Sequence, residues 1–173
     1  DAEVAAIAES CGARVLLEAT AQGHSAAVMT GFAHATAHGA ALALTLPADA
    51  PLVTPAEVAR VNDAAGTEGG ARVVLTPSHD RDGTNAVLAA PPDALFSLSF
   101  GPGSFARHLA VAGVTGLACR VVELAGLGMD VDEPRDLQAL LALKRDDPNY
   151  AFLQDREESC GPISAASIGP IGS

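Results

Sequence analysis

Tryptophan is absent from this chain; among its 173 residues tyrosine appears once, methionine twice and cysteine three times. With aromatics at 3%, any core must be built from Ala, Val and Leu. Cys11, Cys119 and Cys160 are odd in number, widely spaced and without a Cys-x-x-Cys pair. That argues against a disulfide framework or a zinc site and favours a reducing cytoplasm. Positive charge is also scarce: ten Lys and Arg face 21 Asp and Glu, for a net charge of −11. A chain so acidic is a poor partner for nucleic acid or for an anionic membrane surface. No apolar run approaches the ~20 residues of a membrane span, and no signal peptide is visible. Lys144 is the only lysine. Any phosphate must therefore be met by Arg, backbone N–H groups, hydroxyls or a metal. The Gly66–Gly70 loop has neither the Lys nor the Ser/Thr of a P-loop and reads as a turn.

What remains is globular: 49% hydrophobic and 18% charged, a length suited to one domain. Apolar spacing predicts helices over residues 1–10, 25–37, 54–65 and 133–144, and a further one that begins at Ser104 and carries Phe105, Leu109, Val111 and Val114. Short apolar runs predict strands over 13–17, 41–46, 72–75, 85–88 and 117–123. Ser25 is expected to cap the second helix. Thr54-Pro55-Ala56-Glu57 is a strong start for the third: a cap, Pro in the first turn and an acid three residues on. Strands alternating with helices predict a three-layer α/β sandwich with a mainly parallel sheet over residues 1–145. Residues 146–173 lose periodicity and read as an extended tail or linker.

Two loops carry the chemistry. Gly101-Pro102-Gly103-Ser104 sits where a helix should begin, and such a start attracts anions through bare N–H groups and the helix dipole. Arg107 lies within the first turn or so and could add charge. Asp82-Gly83-Thr84-Asn85 precedes it with a hydroxyl and an amide. A Ser-capped helix after a Gly/Pro turn accounts for the same residues. Asp49, Thr84, Ser104 and Asp130 all follow predicted strands, and α/β sheets bind ligands beyond their strand ends. Asp49, Asp130 and Asp132 are hard oxygen donors suited to magnesium; helix-capping acids are the alternative, above all for Asp132. His34 and His38, four apart on one helix, lack an evident third metal ligand. In this setting Ser104→Ala is expected to weaken anion binding with little loss of stability.

Four blocks occur in order: Leu46-Pro47-Ala48-Asp49-Ala50-Pro51-Leu52-Val53-Thr54-Pro55, Asp82-Gly83-Thr84-Asn85-Ala86, Phe100-Gly101-Pro102-Gly103-Ser104-Phe105-Ala106-Arg107-His108 and Met129-Asp130-Val131-Asp132-Glu133-Pro134-Arg135-Asp136-Leu137. Together they resemble the guanylyltransferases of coenzyme F-420 biosynthesis (CofC/FbiD type), over roughly residues 1–143. The resemblance implies a nucleotide-diphospho-sugar-transferase-like fold. It implies GMP transfer from GTP to phosphoenolpyruvate or 2-phospholactate, with release of pyrophosphate. Asp49, Asp130 and Asp132 would then hold Mg2+, and Thr84, Gly101 and Ser104 the acceptor, with Asn85, Gly103 and Arg107 beside them. Gly23 and Ser25 would fall on the nucleotide side, where this chain has Gly-His-Ser in place of the family's Gly-Leu-Asn. Family members also begin with roughly 60 residues, two strand–helix units with a lysine-bearing nucleotide loop, that are absent here. The resemblance therefore leads us to expect that segment from elsewhere: further chain, a partner or a homo-oligomer. A related transferase acting on 3-phosphoglycerate or a molybdopterin-type cofactor, or a non-catalytic assembly module, are the competing readings.

Overall fold

The computed structural model describes residues 2–18, 20–67, 69–94 and 97–153. In chain order these form α1 (Ala2–Ser10), α2 (His24–Ala37), β1 (Ala43–Thr45), α3 (Pro55–Ala65), β2 (Arg72–Pro77), β3 (Thr84–Ala90), α4 (Ser104–Thr115), β4 (Ala118–Val121) and α5 (Pro134–Leu143).

The four strands make one sheet in the order β1-β3-β2-β4. β3 runs antiparallel to both β1 and β2, whereas β2 and β4 are parallel. Three strands thus share one direction, and β3 alone is reversed. The reversal follows from a short connection: six residues separate β2 from β3, far fewer than a parallel crossover requires.

The period-two alternation of side chains divides the core between two faces. Val73, Leu75, Val87 and Ala89 point to one face, where Phe32 of α2 and Phe105 and Ala112 of α4 cover them. Val74, Ala86, Leu88 and Ala90 point to the other, against Val61 and Ala65 of α3 and Leu124 and Leu127. The result is the expected three-layer sandwich. All seven residues of β3 are buried, the signature of a strand covered on both faces.

α3 begins as its sequence predicts. Thr54 Oγ1 accepts from Glu57 N at 3.2 Å, and Glu57 Oε2 accepts from Thr54 N at 3.3 Å. Three expectations need correction. Residues 13–17 are not a strand, and no strand pairs with them among the described residues; without a neighbour, a strand's backbone groups have no ladder to join. Neither Ser25 nor Ser104 caps a helix. Gly23 and Gly103 occupy those N-cap positions with positive φ values of 91° and 70°, and the serine hydroxyls make long-range ties instead. The tail starts later than residue 146: Pro148–Tyr150 forms a 3-10 turn, and Tyr150 Oη donates to Pro51 O at 2.7 Å. The rest of the expected tail, residues 154–173, lies outside the described residues. No described helix is long and apolar enough to cross a membrane.

Candidate functional site

β1 and β2 end, and β3 begins, at one end of the sheet, and there the chain opens a cleft of about 750 Å3. Because β3 is reversed, Thr84 at its amino end reaches the same rim as Asp49 beyond β1. Asp130 and Asp132 arrive on the extended segment before α5, which is tied to the β1 loop by Val131 N donating to Asp49 O at 3.0 Å. Among the sequence candidates, Asp49, Thr84, Asn85, Gly101, Ser104, Asp130 and Asp132 line the cleft.

Gly103, Arg107, Gly23 and Ser25 do not line it. Arg107 is turned back on its own loop, donating to Pro102 O at 2.6 Å and to Ser99 O at 3.0 Å. Ser25 Oγ accepts from Phe100 N at 3.0 Å and so fastens α2 to the Gly-Pro-Gly-Ser loop. These residues frame the cleft.

The start of α4 is also less bare than its sequence implies. Asp82 Oδ2 accepts from Gly103 N at 2.9 Å, and Asp82 O accepts from Phe105 N at 3.1 Å. The Ser104 N–H donates to Gly101 O. A carboxylate of the chain already occupies the positive end of the helix, which locks the two loops together. Beside this helix start, two hydroxyls line the cleft, those of Ser104 and Thr84. Ser104 Oγ accepts from Thr84 N at 2.9 Å. Thr84 Oγ1 lies 3.0 Å from His108 Nδ1, and His108 Nε2 accepts from Ser99 N at 3.0 Å. Asn85 braces the floor, donating from Nδ2 to Leu127 O at 2.8 Å.

The tie from Ser104 changes one expectation. Ser104→Ala strands the buried Thr84 N–H, so it should lower stability by about 1–3 kcal/mol as well as weaken anion binding. Chemical denaturation beside a ligand titration separates the two effects.

His108 is 1% exposed; burial, and secondarily the Arg107 guanidinium, lower its pKa from 6.5 to about 4. Its imidazole is therefore neutral at pH 7. Between those two values the unfolded chain binds a proton that the folded chain refuses. Stability contributed by neutral His108 should thus be intact above pH 6.5 and lost as pH falls toward 4, by roughly 3 kcal/mol in all. Denaturant melts across that window should show a steeper loss in the unaltered chain than in a His108→Asn variant.

Seven carboxylates line the cleft (Asp49, Asp80, Asp82, Asp130, Asp132, Glu133 and Asp136) against one arginine, Arg135. Several already have partners. Asp80 accepts from Ser78 Oγ at 2.6 Å, the main cause of its lowered pKa, and from Asp82 N at 3.0 Å. Asp136 Oδ2 accepts from Asp132 N and Glu133 N at the start of α5. The cap of α5 is thus Glu133, with Asp136 closing its capping box, and not Asp132. Asp132 is instead an acid among acids: partial burial, then the charges of Asp130, Asp49, Asp136 and Glu133, raise its pKa. No group of three or more His, Cys, Asp or Glu side chains among the described residues stands ready to hold a metal. That donor set and that mutual repulsion nonetheless suit a hard divalent cation, which would bind carboxylate oxygens and relieve the repulsion. His34 and His38 lie against each other at 4.0 Å on α2, outside the cleft lining.

Sequence reasoning left out the bridging role of Asp82, the place of Arg135 in the cleft lining and the tie from His108 to Thr84. Asp82 and His108 stood inside the quoted motifs, but their partners are distant in the chain, and only folding reveals them.

A family model described as guanylyl transferase CofC like matches residues 1–164. A phosphoenolpyruvate guanylyltransferase from Rubrobacter xylanophilus is 45% identical over 120 residues, covering 69% of this chain and 57% of that protein. One from Conexibacter woesei is 38% identical over 137 residues, covering 79% and 60%. A 3-phospho-D-glycerate guanylyltransferase from Phenylobacterium zucineum is 35% identical over 139 residues, covering 75% and 58%. The chain thus spans about three-fifths of the length of these relatives. A crystal structure of a proposed nucleotide-diphospho-sugar transferase from Desulfovibrio desulfuricans G20 superposes with a TM-score of 0.67 at 13% identity, covering 91% of this chain and 71% of that one. At that identity the match speaks for the fold alone.

Proposed function

The chain belongs to the CofC-like family of guanylyl transferases, and from that premise we propose that its cleft holds the acceptor of a GMP transfer, a three-carbon phosphoacid such as phosphoenolpyruvate. In the proposed reaction an acceptor phosphate oxygen attacks the α-phosphorus of GTP. The bond from that phosphorus to the bridging oxygen breaks, and pyrophosphate leaves with the electron pair. The route served is coenzyme F-420 biosynthesis, in the cytoplasm, in keeping with Cys11 and Cys119 as free thiols.

One observation carries the reading: two buried hydroxyls, Thr84 and Ser104, line the same cleft as seven carboxylates. The hydroxyls suit an anion, whereas the seven carboxylates repel one. A hard cation reconciles them. We assign Asp49, Asp130 and Asp132 to hold Mg2+, which when bound supplies charge neutralisation and orientation of the phosphates. The chain's own residues position the reactants. Asp82 keeps the Gly-Pro-Gly-Ser loop against β3, and Thr84 and Ser104 orient the acceptor. His24, in edge contact with Phe100 at 4.6 Å, stands at the rim toward the nucleotide. Further contacts to GTP come from outside this span in this reading, from more chain or from a partner.

The test is calorimetric titration of phosphoenolpyruvate into this chain, with and without magnesium. Saturable, magnesium-dependent binding is expected; no binding to a folded chain would sink the assignment. The Phenylobacterium relative favours 3-phosphoglycerate as a second reading, and the same titration with that acid ranks the two.

A further inference from the structure

His108 lies on α4, does not line the cleft and takes no part in the transfer as described. It is nevertheless among the most buried polar side chains, with a partner on each ring nitrogen. The partner on Nε2 settles its tautomer. Ser99 N–H can only donate, so Nε2 must present a lone pair, and the single proton of the neutral ring sits on Nδ1. Nδ1–H in turn donates to Thr84 Oγ1 at 3.0 Å. This fills the side of the Thr84 oxygen that faces the protein and turns its hydroxyl proton away. Neither Thr84 nor Ser104 donates its hydroxyl to a protein acceptor among the described residues, and both residues line the cleft.

We propose that His108 is a positioning residue, which by donating to Thr84 Oγ1 makes that hydroxyl a one-way donor into the cleft. Ser104 is prepared in the same sense by the Thr84 N–H. The pair then favours ligand groups that accept, above all the charged oxygens of an ionised phosphate or carboxylate, over an ammonium group that can only donate. This rests on the acceptor assignment above and extends it to the element behind Thr84.

Four variants test it: His108→Gln, His108→Asn, Thr84→Val and the double variant Thr84→Val/His108→Gln. A Gln amide reaches the Nε2 position and can still accept from Ser99 N–H, but places no donor beside Thr84. An Asn amide reaches the Nδ1 position and can still donate to Thr84. With phosphoenolpyruvate and magnesium, His108→Gln should bind about tenfold more weakly, and His108→Asn should recover most of that loss. Thr84→Val should match His108→Gln, and the double variant Thr84→Val/His108→Gln should be no weaker than Thr84→Val alone. Additive losses, or Gln and Asn variants that behave alike, would overturn the proposal.

Nitrogen NMR of the wild-type imidazole independently tests the premise that the ring proton sits on Nδ1, facing Thr84. A proton on Nδ1 supports the relay, whereas a proton on Nε2 overturns it even if binding is affected. If wild-type chain fails to bind phosphoenolpyruvate, the acceptor assignment falls. The tautomer still decides the His108–Thr84 link by itself, and does so equally if His108→Gln does not fold.

Discussion

An Asp130→Asn chain is expected to bind phosphoenolpyruvate no better with magnesium than without it, where the unaltered chain gains at least about tenfold, or ~1.4 kcal/mol. The argument begins with the backbone. Val131 N donates to Asp49 O, which holds the extended segment Asp130–Asp132 against the loop that follows β1. Three carboxylates from two distant stretches thereby share one rim of the cleft. Their crowding is legible in Asp132, whose pKa is raised by partial burial and then by Asp130 and Asp49. Unit charges a few ångströms apart near a protein surface interact by a few kcal/mol, so a polyanion entering here is opposed until a cation neutralises the cluster. Asp130→Asn removes a charge and an oxygen donor while keeping the shape. Calorimetry of both chains with and without magnesium is the check, and a magnesium gain that survives in the variant removes Asp130 from the cation's ligands.

Gly126→Ala should be the most damaging single methyl group in the chain. A Cβ at Gly126 would overlap the Leu52 carbonyl and the Glu57 carboxylate. Neither can retreat freely. Glu57 is held by the capping box of α3 and also accepts from Gly126 N at 2.8 Å through Oε1. We expect a loss of about 3 kcal/mol or more, and with it a fall in melting temperature of roughly 10 °C. The damage should reach the cleft, because the next residue, Leu127, supplies the carbonyl that holds Asn85. Gly113→Ala is the matched control. It lies within α4 with nothing near its added Cβ, and should gain about 0.5–1 kcal/mol from helix propensity. Paired thermal melts decide the matter: equal effects at the two glycines would show that the close approach at Gly126 relaxes easily.

Local signals in the sequence were read well because their physics is local. The Thr54–Glu57 capping box, the Pro at the start of α5 and the short apolar run of β2 depend on neighbours a few residues away. The motif blocks that marked Asp49, Thr84, Ser104 and Asp130 likewise lie at element ends, and a strand–helix alternation brings such ends to one rim. The errors share one cause as well. Ser25 and Ser104 resemble caps in every local respect, yet their hydroxyls accept from Phe100 N and Thr84 N, 75 and 20 residues away. The guanidinium of Arg107 likewise donates to Pro102 O and Ser99 O, contacts that its place in the motif does not reveal.

Composition and pattern by themselves determined an acidic α/β domain with small residues and hydroxyls in two loops and carboxylates in two others. Which of those groups face a ligand was decided only by tertiary structure. A donor or acceptor is available for binding only if the fold has not already used it. That use is settled by hydrogen bonds between Asp82 and the start of α4, and between His108 and Thr84, whose partners meet only once the sheet is assembled.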